Sequence, residues 1–149
     1  MAAVLLIAHA PLASALLAVA GHCYAEQGHQ FEAIDVEPSM SAETVEALAR
    51  AALARLDSPE VLVLTDVFGA TPCNVAQRLA DGDTIRVVAG VNVPMLWRSL
   101  CYLTEPLDTL VSRAVAGASQ GVMQVATTRP QNQIQSPITN DSNNSRHQQ

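Results

Sequence analysis

Residues 61–79 have the sequence VLVLTDVFGATPCNVAQRL, which divides into a short apolar run, a turn and a segment with helical spacing. The run 61–65 has no polar alternation, which is typical of a strand buried on both faces in a parallel sheet. In the turn 66–72 that follows, Thr71 is expected to be the N-cap of a helix and Pro72 its first residue. This strand-turn-helix unit predicts an α/β fold.

The same alternation continues on both sides of this unit. Three more apolar runs predict strands at 3–8, 31–36 and 84–89, and helices are expected at about 11–28, 41–56, 94–102 and 106–118. A short apolar run at 122–126 predicts one more strand. Strands that alternate with helices indicate a single α/β domain with a mainly parallel sheet and helices on both faces.

Composition narrows the class of protein. The chain has 149 residues, 49% of them hydrophobic, and a formal net charge of -6. All its basic residues are Arg, and they form no basic stripe, which argues against nucleic acid or an anionic membrane as a partner. Three cysteines without close pairing predict neither a disulfide framework nor a zinc site, so we expect no metal.

The two ends of the chain differ in character. The apolar stretch 2–20 resembles a signal peptide, but no basic residue precedes it and His9 and Pro11 interrupt it. We therefore expect a cytoplasmic protein without membrane insertion. From Thr127 onward the chain is mostly Gln, Asn, Ser, Thr and Pro, which predicts a folded domain over 1–127 and a disordered polar tail over 128–149.

Polar residues follow three of the predicted strands at the point where each strand ends: His9, Asp66 and, slightly later, Asn92. The carboxyl ends of parallel strands share one edge of the sheet, where ligands bind beside helix N-termini. A carboxylate that accepts from one imidazole nitrogen leaves the other free as a nucleophile and stabilises a cationic ring. The helix N-termini after Ala10 and after Thr71 offer N–H groups that suit a phosphate, and Gly69 permits close approach of the backbone.

Simpler interpretations of the same residues remain open. His9 could be a solvated residue at a strand end, and Asp66 could do no more than begin the following turn. A His–Asp hydrolase is another possibility, although no Ser or Cys nucleophile stands at a third strand end.

Three ordered segments resemble the enzyme IIA component of the mannose-type bacterial phosphotransferase system, which includes the mannose, fructose and sorbose branches. The segments are LIAHAPLA at 6–13, LTDVFGATPCN at 64–74 and AGVNVPML at 89–96, and the resemblance covers roughly residues 1–127. It implies a phosphocarrier, an enzyme of the transferase class. His9 would accept a phosphoryl group from the carrier protein HPr, and Asp66 would orient His9. The phosphate would lie against the loop residues Gly69, Ala70, Thr71 and Asn74.

The resemblance also implies an assembly and a mode of action. The fold would be dimeric, with the last strand antiparallel and exchanged between subunits. The phosphoryl group would be carried covalently, without a cofactor.

The family loop usually reads Gly-Gly-Ser-Pro, whereas this chain has Ala70 and Thr71 in the middle positions. Thr71 keeps the hydroxyl, but Ala70 would restrict the loop if that position required a positive φ.

Three functions are compatible with this resemblance. His9 could pass its phosphoryl group to a separate IIB protein that phosphorylates a sugar during uptake. Alternatively, phosphorylation could control a regulatory partner without any sugar, because about two added negative charges can reverse a protein contact. The third function is that of a phosphoryl donor to a dihydroxyacetone kinase. The segment 90–94 favours the mannose branch over this third function. The sequence does not identify the sugar.

Overall fold

The computed structural model describes residues 1–126, and the predicted tail at 128–149 lies outside the described residues. Its elements are β1 (Ala3–His9), α1 (Leu12–Cys23), a short 3-10 helix (Ala25–Gln30), β2 (Phe31–Val36), α2 (Ala42–Leu56), β3 (Val61–Thr65), α3 (Thr71–Leu79), β4 (Ile85–Ala89), α4 (Val93–Cys101) and α5 (Leu107–Gln120). No helix in residues 1–126 is both long enough and apolar enough to cross a membrane.

The four strands form one parallel sheet in the order β2-β1-β3-β4. The register places Ile7 opposite Thr65 and His9 opposite Val36. The central strands β1 and β3 are almost entirely buried, which explains why their sequences lack polar alternation. The predicted class, a single α/β domain with a parallel sheet between helices, is confirmed.

Two hydrophobic cores cover the two faces of the sheet, and alternate residues of β1 contribute to each. One core joins Val4, Leu6 and Ala8 to α1, α4 and α5. The other joins Ala3, Leu5 and Ile7 to α2 and α3. A sheet covered in this way leaves its carboxyl edge, rather than a face, available for chemistry.

The predicted end of the first helix and the predicted start of the third were wrong, and several other bounds differ by one or two residues. The first α-helix ends at Cys23, because residues 25–30 supply no buried side chain that would continue its apolar face. The third helix begins one residue earlier than expected, with Ala70 as its N-cap and Thr71 as its first residue.

The apolar run at 122–126 has no regular secondary structure in this single chain. Its side chains are among the most exposed apolar groups of the described residues, with Val122 at 75%, Met123 at 70% and Val125 at 87%. Strand exchange requires a second chain, so it stays a prediction.

Candidate functional site

The candidate site lies between the two central strands. From β1 the chain crosses to β2 in one direction, and from β3 it crosses to β4 in the opposite direction. The crevice at the carboxyl ends of two such strands is the usual ligand site of an open parallel sheet. His9 is the last residue of β1, and Asp66 directly follows the last residue of β3. The sheet therefore brings these two residues to the same edge.

Two hydrogen bonds join His9 to Asp66. The backbone N–H of His9 donates to Oδ2 of Asp66 at 2.9 Å, and the ring nitrogen Nδ1 lies 2.6 Å from the same oxygen. The other carboxylate oxygen, Oδ1, accepts the backbone N–H of Val67 at 2.8 Å. Both carboxylate oxygens therefore take part in hydrogen bonds, and the carboxylate lies against the imidazole ring.

The charge of Asp66 decides which nitrogen of His9 carries the proton. Burial raises the pKa of Asp66 and is the largest single influence, but hydrogen bonds donated by His9 and Val67 together outweigh it and hold the pKa below its ordinary value. An ionised carboxylate can only accept hydrogen bonds, so Nδ1 of His9 must be the donor. The neutral ring then has its lone pair on Nε2, the nitrogen that can act as a nucleophile.

The two side chains differ in their access to solvent. The His9 side chain is 53% exposed, whereas that of Asp66 is 13% exposed. A reacting group can therefore reach the ring from outside the protein, while the carboxylate stays behind it. This arrangement suits transfer of a group to and from the imidazole.

The loop 66–70 after β3 and the first turns of α3 carry the other predicted site residues, Gly69 and Ala70 in the loop and Thr71 and Asn74 in the helix. Gly69 has φ = 93°, the left-handed region that favours glycine, whereas Ala70 has φ = −94°. The substitution of Ala for the family's second glycine therefore causes no backbone strain, since the position that needs positive φ keeps its glycine. The amide of Asn74 donates to the carbonyl oxygen of Gly69 at 3.4 Å, a long contact that links the loop to α3.

Helix α3 presents an open N-terminus beside this loop. No side chain caps it, and Pro72 lies in its first turn without an N–H group. The N–H groups of Thr71 and Cys73 have no partner within the helix, because the first turn lies before the repeating hydrogen bonds. Such an end attracts anions through its N–H groups and its dipole.

The N-terminus of α1 differs from that of α3 in a way that was not predicted. Pro11 is its N-cap and provides no side-chain hydrogen bond. Instead Asp35, on β2, accepts the backbone N–H of Ser14 at 2.9 Å. The expectation that this helix end offers free N–H groups to a phosphate is therefore wrong for Ser14. A polar residue near the end of a strand next to a helix without its own cap was the available signal.

Asn92, the third polar residue at the predicted edge, has a structural role. Its Oδ1 accepts the backbone N–H of Met95 at 2.9 Å, which makes Asn92 the N-cap of α4. Its amide donates to the carbonyl oxygen of Ala118 on α5 at 3.3 Å. Asn92 fixes the start of α4 against α5, and neither of these hydrogen bonds involves His9 or Asp66.

Comparison with known proteins identifies relatives of this chain. A sequence model of the family described as "PTS system fructose IIA component" matches residues 3–115, where PTS denotes the phosphotransferase system. The PTS system mannose-specific EIIAB component of Escherichia coli K12 is 40% identical over 93 residues, which are 60% of this chain. The matched segment spans only 29% of the length of that relative.

Solved structures agree with the sequence matches. Phosphotransferase system component EIIA from Streptococcus agalactiae has a TM-score of 0.73 and 27% identity, and the alignment covers 83% of this chain and 97% of that one. The mannose/sorbose-specific IIA subunit from Enterococcus faecalis has a TM-score of 0.77 and 24% identity, with 86% and 97% covered. At 24% identity, the similarity to the Enterococcus faecalis subunit concerns the fold alone.

Proposed function

The chain belongs to the mannose-type IIA family of the bacterial phosphotransferase system, and on that premise we propose that it carries a phosphoryl group on Nε2 of His9. The observation that supports this proposal most directly is the hydrogen bonding of Asp66. Its carboxylate accepts from Nδ1 of His9 at 2.6 Å, so the nucleophilic lone pair lies on Nε2 of a half-exposed ring. No metal or cofactor forms part of the proposal.

The proposed transfer conserves the ring proton. The Nε2 lone pair attacks the phosphorus of a donor phosphohistidine, the donor P–N bond breaks, and a new P–Nε2 bond forms. The His9 ring becomes cationic while Nδ1 keeps its proton, and the ionised Asp66 stabilises that cation. In the second transfer an acceptor nucleophile attacks the phosphorus, and the electron pair returns to Nε2.

The phosphoryl oxygens require their own stabilisation. The open N-terminus of α3 and the loop at Gly69 lie directly after Asp66 in the chain, so we assign the phosphate to this end. In this proposal the N–H groups of Thr71 and Cys73 are the donors. Asn74 supports the loop through the carbonyl oxygen of Gly69.

The surroundings of the site favour protein partners over a small molecule. Val67 is 51% exposed and Phe68 is 75% exposed, and both belong to the loop that begins at Asp66. Exposed apolar side chains of this kind are typical of surfaces that bind other proteins. We propose HPr as the donor and a separate IIB protein as the acceptor, which places the chain in the cytoplasm and in sugar uptake.

We further propose a homodimer in which residues 122–126 pair with the other subunit. Strand β4 pairs only with β3 in the described sheet and so has an open edge. Uncovered strand edges promote aggregation unless another segment pairs with them. The exposed apolar run at 122–126 is a suitable segment.

Phosphorus NMR of the phosphorylated full chain tests the assignment to Nε2, since phosphohistidines substituted at the two ring nitrogens have different chemical shifts. We expect one acid-labile, base-stable phosphate with the signal of Nε2 substitution. A phosphate on Nδ1 would contradict the proposal, because Asp66 would then lose its hydrogen bond with the ring.

If phosphate taken from HPr reaches no IIB protein, the regulatory function replaces the transport function.

A further inference from the structure

Of the helices that begin at the edge of the sheet carrying His9, α1 and α3 follow the two central strands, and their N-termini differ in one respect. Helix α3 begins without a side-chain cap. Helix α1 also lacks a cap from its own N-cap residue, but Asp35 accepts the N–H of Ser14 in its first turn at 2.9 Å. One positive helix end is therefore open, and the other already interacts with a carboxylate.

Asp35 is placed close to the start of α1 by the pairing of β1 with β2. It lies opposite Ala8, and the next residue, Val36, lies opposite His9. The carbonyl oxygen of Val36 accepts the N–H of Ala10 at 3.0 Å. Two consecutive residues of β2 thus hold the turn that connects His9 to α1, one through its backbone and one through its carboxylate.

The charge of Asp35 has a consequence for an anion bound at His9. A phosphoryl group carries about two negative charges. A carboxylate at the same sheet edge repels it, and the carboxylate also occupies an N–H group that the phosphate could otherwise use. Both effects make the α1 end unfavourable for the phosphate and leave the α3 end as the favourable one.

We propose that Asp35 is a positioning residue. Its carboxylate disfavours binding of the phosphoryl group at the N-terminus of α1 and so favours binding at the N-terminus of α3. Its charge also destabilises phosphorylated His9, so that the group remains transferable. This inference rests on the proposed function of His9. It differs from a purely structural role, in which Asp35 would stabilise α1 without affecting the phosphate.

The test measures the equilibrium constant for transfer from phospho-HPr to the full-length chain. Asp35→Ala removes both the charge and the hydrogen bond, and we expect the constant to shift toward phosphorylated His9 by about two- to tenfold. Asp35→Asn keeps an acceptor for Ser14 but removes the charge, and we expect a shift of about twofold. If Asp35→Ala fails to fold, the result for Asp35→Asn decides the question.

Asp81→Ala is the matched control. Its carboxylate accepts the backbone N–H groups of Asp83, Thr84 and Ile85 at 2.9, 2.8 and 2.8 Å, just before β4 and therefore at the opposite edge of the sheet. Like Asp35→Ala, Asp81→Ala should lower the melting temperature, but it should leave the equilibrium constant unchanged.

The outcomes separate the two proposals. If the wild type is phosphorylated on His9 but both Asp35 variants keep its equilibrium constant, the positioning role is wrong and the proposed function stands. If the wild type accepts no phosphate, both proposals fall.

Discussion

A single oxygen of Asp66, Oδ2, accepts both the backbone N–H and the ring N–H of His9, at 2.9 and 2.6 Å. The carboxylate thereby fixes the end of β1 and the imidazole at the same time. Its other oxygen accepts from Val67, the first residue of the loop that leads to α3. Asp66 consequently connects His9, the proposed nucleophile, to the loop that leads to the proposed phosphate site at α3.

Asp66→Asn should slow phosphoryl transfer by about ten- to a hundredfold, which corresponds to a charge-assisted hydrogen bond of about 1.5–3 kcal/mol. An amide has one oxygen, so it cannot accept from His9 on one side and from Val67 on the other. It also lacks the charge that stabilises the phosphorylated ring. Transfer rates from phospho-HPr measure the effect, and Asp83→Asn, at the opposite edge of the sheet, is the control. A normal rate in Asp66→Asn would show that Asp66 is only a turn residue.

Asp66 should also make stability depend on pH in a defined direction. Its pKa is lowered in the folded state, because hydrogen bonds donated by His9 and Val67 outweigh burial, the largest single influence. Its contribution to the free energy of unfolding is therefore fully present above its unfolded pKa of about 3.9 and is lost as pH falls through the lower folded pKa.

Urea unfolding of the wild type and Asp66→Asn at a series of pH values tests this dependence. The difference between the two proteins should shrink as the pH falls from about 5 to about 3, the range in which the Asp66 carboxyl titrates. A difference that grows over this range would mean that the pKa of Asp66 is raised on folding.

The contact between α4 and α5 depends on a glycine. A Cβ added at Gly117 would lie 2.7 Å from Cβ of Arg98, and neither atom can move without shifting its helix. Gly117→Ala should therefore reduce the free energy of unfolding by about 1–3 kcal/mol. Gly21, inside α1, has no atom within 4 Å of an added Cβ. Gly21→Ala should instead stabilise the protein by about 0.5–1 kcal/mol, and equal effects in urea unfolding would contradict the account.

Truncation tests the proposed dimer. Removing residues 130–149 should leave a dimer that is still phosphorylated on His9, because the segment 122–126 is kept. Removing everything from Val122 onward should give monomers or aggregates, since the open edge of β4 loses its partner. Sedimentation velocity measures both. A monomeric wild type, or a dimer that survives the longer deletion, would exclude strand exchange.

Much of the fold could be predicted because local signals agreed with one another. The bounds of β2 and β3 match their apolar runs, and Ser41, the first residue of the helix predicted at 41–56, caps α2 by accepting the N–H of Thr44 at 3.1 Å. The proximity of His9 and Asp66 could be inferred because parallel strands place their carboxyl ends at one edge. Strand direction places both residues at that edge, and the structure adds that β1 and β3 are neighbours.

The remaining features depend on contacts between residues distant in the chain. Asp35 bonds to a residue 21 positions away, and its position near a strand end indicates that pairing only once the neighbouring helix is known. Asn92 was grouped with His9 and Asp66 because the sequence does not reveal the order of strands, in which β4 lies at the far edge. The backbone angle of Ala70 likewise became known only with the loop conformation. The pairing that we propose for the segment 122–126 involves a second chain, which no local pattern describes.

Phosphorylation of His9 variants tests the central claim most directly. The wild type, His9→Ala, His22→Ala and His29→Ala are incubated with enzyme I, HPr and radiolabelled phosphoenolpyruvate, and protein-bound label is counted. The His9 side chain is 53% exposed, and the backbone N–H of residue 9 still bonds to Asp66, so His9→Ala should fold normally. We predict that label is lost in His9→Ala alone and retained in the other two variants. Label that persists in folded His9→Ala would contradict the account.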